Sequence, residues 1–125
     1  MTALVASNSS GTSYDLVLKD STAGWSFSTT QTVSGFARSS AEVIAEAPSS
    51  CNLLLCSLLC SEVPFADFGQ LSYSGSALID TAGTKGSLSA FNANEITMAS
   101  NGTTLATPSS LSTDGTSFPV TWDNS

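Results

Sequence analysis

Glu95-Ile-Thr-Met-Ala-Ser-Asn-Gly-Thr-Thr-Leu-Ala-Thr107 decides the fold. Asn101-Gly102 is a strong two-residue hairpin signal, because both residues tolerate the positive φ that a tight turn between twisted strands demands. The flanking segments, 95–100 and 103–107, are rich in residues that suit a pleated surface, so they are predicted to pair as antiparallel strands. Working outward, the same rhythm recurs every eight to twelve residues, with Gly, Asn, Asp and Ser clusters between apolar-polar alternations. Residues 2–6 and 14–19 read as a hairpin around Asn8-Ser-Ser-Gly-Thr12, and 25–33 reads as a half-buried strand. Residues 40–47 form a strand that stops at Pro48, and 66–74, 76–80 and 117–122 complete the set. Pro119 lacks a ladder donor and places the last strand at an edge or a bulge. The predicted class is all-β, an antiparallel two-sheet β-sandwich in a single domain over residues 1–125.

Composition narrows the chemistry. Ten carboxylates against three cations give a net charge of −7, which excludes nucleic-acid backbones and anionic membranes as partners. The longest apolar run, from Leu53 to Cys60, is broken by Ser57 and falls far short of the ~20 residues that span a bilayer. Without histidine there is no Ser-His-Asp triad, no Cys-His dyad and no His-ligated metal. No cofactor or metal is expected, since three closely spaced thiols lack a fourth strong ligand. Cys51, Cys56 and Cys60 permit one local disulfide, and Cys51 with Cys56 can close a small loop in an oxidising compartment, leaving Cys60 as a thiol. Protonating every carboxylate leaves only the three cations, so self-repulsion in acid stays modest. That fits an acid-tolerant, extracellular protein whose surface is solvated by 25 serines and 15 threonines. Residues 1–7 lack the basic start and apolar stretch of a signal peptide, which a secreted chain has already shed.

Catalysis, if any, rests on carboxylates, hydroxyls, thiols or amides. Ser40-Ala-Glu-Val-Ile-Ala-Glu-Ala-Pro48 holds two of the four glutamates, and strand alternation puts Glu42, Ile44 and Glu46 on one face with Val43 and the alanines on the other. Four residues of strand separate the two Cα atoms by ~13 Å, too far for a proton-sharing dyad. Taken alone, the pattern describes two solvated glutamates above an inward-packed face.

Together with Pro64-Phe-Ala-Asp-Phe-Gly69, Asn101-Gly-Thr-Thr-Leu-Ala-Thr-Pro-Ser109, Asp114-Gly-Thr-Ser-Phe118 and Val120-Thr-Trp122, this segment resembles the glutamic peptidases, the eqolisin family. The resemblance implies a concanavalin A-like, lectin-like sandwich of two curved sheets and an acid endopeptidase acting on polypeptides through a glutamate and a glutamine. It assigns the catalytic glutamate to Glu46 and leaves Glu42 as a flanking or cleft-lining residue. Such a glutamate takes a proton from the attacking water and returns it to the leaving amine, while the glutamine amide donates to the oxyanion. Members carry Trp where this chain has Val43. Neither Gln31 nor Gln70 has the context of the family's glutamine, so the resemblance implies the C-terminal part of the domain, an incomplete sandwich whose open edges favour self-association. Trp25 and Trp122 are expected as core or cleft-wall aromatics. The alternative function is a non-catalytic sandwich module binding carbohydrate or protein.

Overall fold

A computed structural model describes residues 1–8, 10–35, 37–51 and 60–124, with Cys51 and Cys60 described by their backbone alone. The chain forms two compact units, Met1–Ala41 and Glu42–Ser125. All the sheets are antiparallel, which bears out the all-β class.

The first unit is one three-stranded sheet in the order β1 (Thr2–Ser7), β2 (Ser13–Asp20), β3 (Trp25–Thr32). Its turns are set by side chains that replace backbone partners. The Asn8 carboxamide oxygen accepts from Thr12 N at 3.0 Å, and the Asp20 carboxylate accepts from Thr22 N at 2.8 Å and Ala23 N at 3.0 Å. These bonds hold the Asp20 carboxyl below its ordinary value, the Ala23 amide contributing most. The expectation of a half-buried β3 needs correction, because Trp25 is 42% and Phe27 59% exposed. The sequence alternates, but among the described residues of this unit no second layer covers the sheet.

In the second unit, β4 (Ser49–Cys51) pairs with β5 (Cys60–Glu62), and β7 (Ala77–Ile79) with β8 (Lys85–Ser87). The main sheet contains β6 (Gln70–Tyr73), β9 (Met98–Ser100), β10 (Thr103–Pro108) and β11 (Phe118–Trp122), in the order β6-β11-β10-β9. The expected hairpin joins β9 to β10, with φ of 49° at Asn101 and 82° at Gly102. The segment expected at 66–74 contracts to β6, since Gly69 N bonds the Asp67 carboxylate at 2.8 Å and Gly69 has φ 61°, which makes Asp67-Phe-Gly69 a turn.

Pro119 occupies an interior strand, contrary to the edge expectation. Ser109 N donates to Pro119 O at 2.9 Å, so the carbonyl and the donorless nitrogen of Pro119 both face β10, at the point where the β10 ladder has ended. The missing donor therefore leaves only the return bond to Ser109 O unmade, at the end of that ladder.

A register irregularity lies between Thr104 and Ala106. Strict alternation buries every second residue, yet Leu105 is 7% and Ala106 2% exposed, so the bulge lets two consecutive side chains enter the core. They pack with Ala47, Phe65 and Val120, bordered by Ala45, Phe68, Tyr73, Met98, Phe118 and Trp122. Phe65 and Phe68 meet edge to face at 5.3 Å, and Trp122 Nε1 donates to Phe65 O at 3.2 Å, so the Trp122 ring belongs to the core as expected.

Two glycines separate backbone strain from steric strain. A Cβ at Gly102 would meet nothing within 4 Å, whereas at Gly115, φ 69°, it would collide with the Ser89 and Ser87 side chains. Gly102→Ala is expected to cost about 1 kcal/mol from its left-handed φ alone. Gly115→Ala is expected to cost about 1–3 kcal/mol more, as in overpacked sites. Urea unfolding of the two variants beside the parent measures the difference; equal losses would contradict this packing.

Candidate functional site

The segment 40–48 carries both sequence-selected glutamates, and it is not a strand. This corrects the expectation of a ladder over 40–47. Its alternation nevertheless survives as exposure: Val43 and Ala45 are half-buried and Ala47 buried, while Glu42, Ile44 and Glu46 are exposed. The segment thus lies extended, with Ala45 and Ala47 packed on the core of the main sheet and both carboxylates in solvent.

Two bonds replace the missing ladder. At the C-terminal end, Val63 N donates to Pro48 O at 2.9 Å, as the segment passes into the β4–β5 hairpin. In the middle, the Tyr73 hydroxyl donates to Ile44 O at 2.7 Å, midway between Glu42 and Glu46 in sequence. The Tyr73 ring stacks on Phe118 at a centroid distance of 5.0 Å and 25° between planes, and burial pushes its hydroxyl pKa up. The raised pKa keeps the hydroxyl protonated, as a donor must be.

Tyr73 also lines a shallow groove of ≈ 340 Å³ with Gln70, Ser72, Ser117, Phe118 and Pro119. Its lining combines hydroxyl and amide groups with the apolar surface of Pro119. Tyr73 carries no signature in the sequence beyond its alternation with Ser72, so sequence reasoning passed over it.

Within the second unit the sheet turns Gln70 away from the core on which the Glu46 segment packs. Leu71 and Tyr73 are the cross-strand partners of Val120 and Phe118, which face the core, so alternation turns Gln70 to the opposite face of the sheet. Gln31 belongs to the first unit, where its Nε2 donates to Thr29 Oγ1 at 3.1 Å. Of the other glutamates, Glu62 accepts from Ser100 Oγ at 2.7 Å, tying β5 to β9. Cys56 and the side chain of Cys51 lie outside the described residues, and with them the expected disulfide. Among the described residues no cluster of three acidic or thiol groups is arranged to hold a metal, and no helix is long and apolar enough to cross a membrane.

Asp114 is bonded by Ser112 Oγ at 2.5 Å, by Thr116 Oγ1 at 3.0 Å and by Thr116 N at 3.1 Å. The Ser112 hydroxyl, then Thr116, hold its carboxyl below the ordinary value of 3.8. A carboxyl with a lowered folded pKa contributes stability above its unfolded pKa and loses it as pH falls through the folded one. The Asp114 and Asp20 turns therefore persist in mild acid and weaken only below about pH 3.8.

Compared with protein families, the chain matches the model described as the Peptidase A4 family over residues 1–122, across both units. Comparison with curated proteins and with solved structures gives no match.

Proposed function

The chain belongs to the Peptidase A4 family, the glutamic peptidases, so its substrate class is polypeptide, and from this membership we propose that it is an acid-acting endopeptidase with Glu46 as general base. The observation that carries the reading is the placement of Glu46. Its side chain is exposed while its neighbours Ala45 and Ala47 anchor the backbone in the core, so the carboxylate is presented to solvent from a fixed support.

In the proposed reaction the ionised Glu46 removes a proton from water as the water oxygen attacks the scissile carbonyl carbon. The C–N bond then breaks, the proton passes from Glu46 to the departing amine, and a carboxylic acid and an amine leave. An amide donor stabilises the oxyanion in the family's scheme, and neither Gln31 nor Gln70 is assigned that role. An oxyanion donor of this kind contributes roughly 10²–10³-fold to turnover. Both units form one peptidase domain in this reading, since the family match runs across them. The sparse charge, the hydroxyl-rich surface and the acid-persistent Asp20 and Asp114 turns support an acidic extracellular setting.

Hydrolysis of a denatured protein by the purified chain in acid, with pepstatin present to silence aspartic peptidases, is the outcome expected from family membership. A folded chain without acid turnover would overturn the proposal and favour a non-catalytic binding module.

A further inference from the structure

We infer that Tyr73 is a positioning residue for Glu46: its hydroxyl, fixed by stacking on Phe118, pins the carbonyl of Ile44 and so holds the extended segment that presents the carboxylate. A strand in a sheet is held at every second residue by ladder bonds, but segment 40–48 has no ladder. Apart from the packing of Ala45 and Ala47, the hydroxyl bond at 2.7 Å anchors the backbone on the Glu42 side of Glu46, and the Pro48 carbonyl anchors it on the other. Glu46 lies between these two points. The donor is itself supported, because the Tyr73 ring is stacked on Phe118 and both residues are cross-strand partners in the main sheet, β6 against β11. Rigidity of the sheet is thus passed through one phenol to a segment outside it.

The kinetic part of this inference rests on the Glu46 reading; the anchoring part does not. Tyr73→Phe removes the hydroxyl and keeps the stacked ring. It is expected to lower kcat roughly 10- to 100-fold, the scale of a reacting group displaced by about an ångström, with KM unchanged within about twofold. In the same variant the backbone ¹⁵N order parameters of Ala45 and Glu46 should fall from about 0.85 toward 0.6, the values of rigid and flexible backbone. Tyr73→Leu, which also removes the ring, should lower the order parameters at least as far. A merely structural role would shift the unfolding midpoint and KM together and leave the order parameters unchanged, and that result overturns the inference. Order parameters in Tyr73→Phe equal to those of the parent overturn it as well, even where kcat falls. If Glu46 proves dispensable for turnover while Tyr73→Phe still loosens residues 45–46, the anchoring stands and only the catalytic assignment fails.

Discussion

Leu105→Ala is expected to lower the unfolding free energy by about 2–4 kcal/mol, the cost of deleting a buried isobutyl group and leaving its cavity. Leu105 occupies the inner position of the β10 bulge and packs beside Ala47, Phe65, Ala106 and Val120. Two of those neighbours are alanines, whose side chains have no rotamers with which to fill the space, so collapse around the truncated side chain is restricted. Because Ala47 belongs to the same cluster, the cavity opens in the core on which the segment that carries Glu46 is packed. Ile96→Ala serves as the comparison, since Ile96 is 77% exposed and its truncation should fall within about 0.5 kcal/mol of the parent. Urea unfolding of the three proteins measures both. A Leu105→Ala loss no larger than that of Ile96→Ala would mean that the bulge does not place Leu105 in the core.

Much of this fold is legible in the sequence because its strongest signals are local. Asn101-Gly102 announces its turn through the φ values it tolerates, and the Asn8-Ser-Ser-Gly-Thr12 turn is announced by residues whose side chains replace backbone partners, as the Asn8 carboxamide does. Other features depend on register. Whether Pro119 breaks a ladder depends on which neighbour its nitrogen faces and where that neighbour ends, and neither property is written in residues 117–122. The contiguous burial of Leu105 and Ala106 likewise requires the bulge, which period-two reading rules out in advance. Segment 40–48 shows both sides of this. From Glu42 to Ala47 its alternation predicts correctly which residues are exposed, though Ala41, expected inward, is exposed; alternation reports burial and not hydrogen bonding, so a segment packed on a core without a ladder reads as a strand. The Tyr73 bond to Ile44 spans 29 residues and is a product of tertiary packing alone.

Glu46→Gln is expected to lower acid hydrolysis of a denatured protein by about 10²–10⁴-fold, the usual contribution of a positioned general base. Glutamine matches glutamate in size and keeps one carbonyl oxygen as an acceptor, but it cannot take up a proton from water in the working pH range. Glu46 is exposed, so the substitution should leave the unfolding free energy within about 0.5 kcal/mol of the parent and the loss can be read as chemistry. Glu42 supplies the internal control. It is exposed on the same side of the same segment, four residues away, and Glu42→Gln removes the same charge from the same surface. An effect arising only from the local field would appear equally in both variants, because each reduces the net charge of −7 by one.

The most direct measurement is therefore the rate of hydrolysis of one denatured protein substrate at pH 4, with pepstatin present, by the parent chain, Glu46→Gln and Glu42→Gln prepared identically. The account predicts measurable turnover by the parent, a rate for Glu42→Gln within a few-fold of it, and a rate for Glu46→Gln at least ~100-fold lower. Turnover by Glu46→Gln equal to that of the parent, or a loss confined to Glu42→Gln, would contradict it.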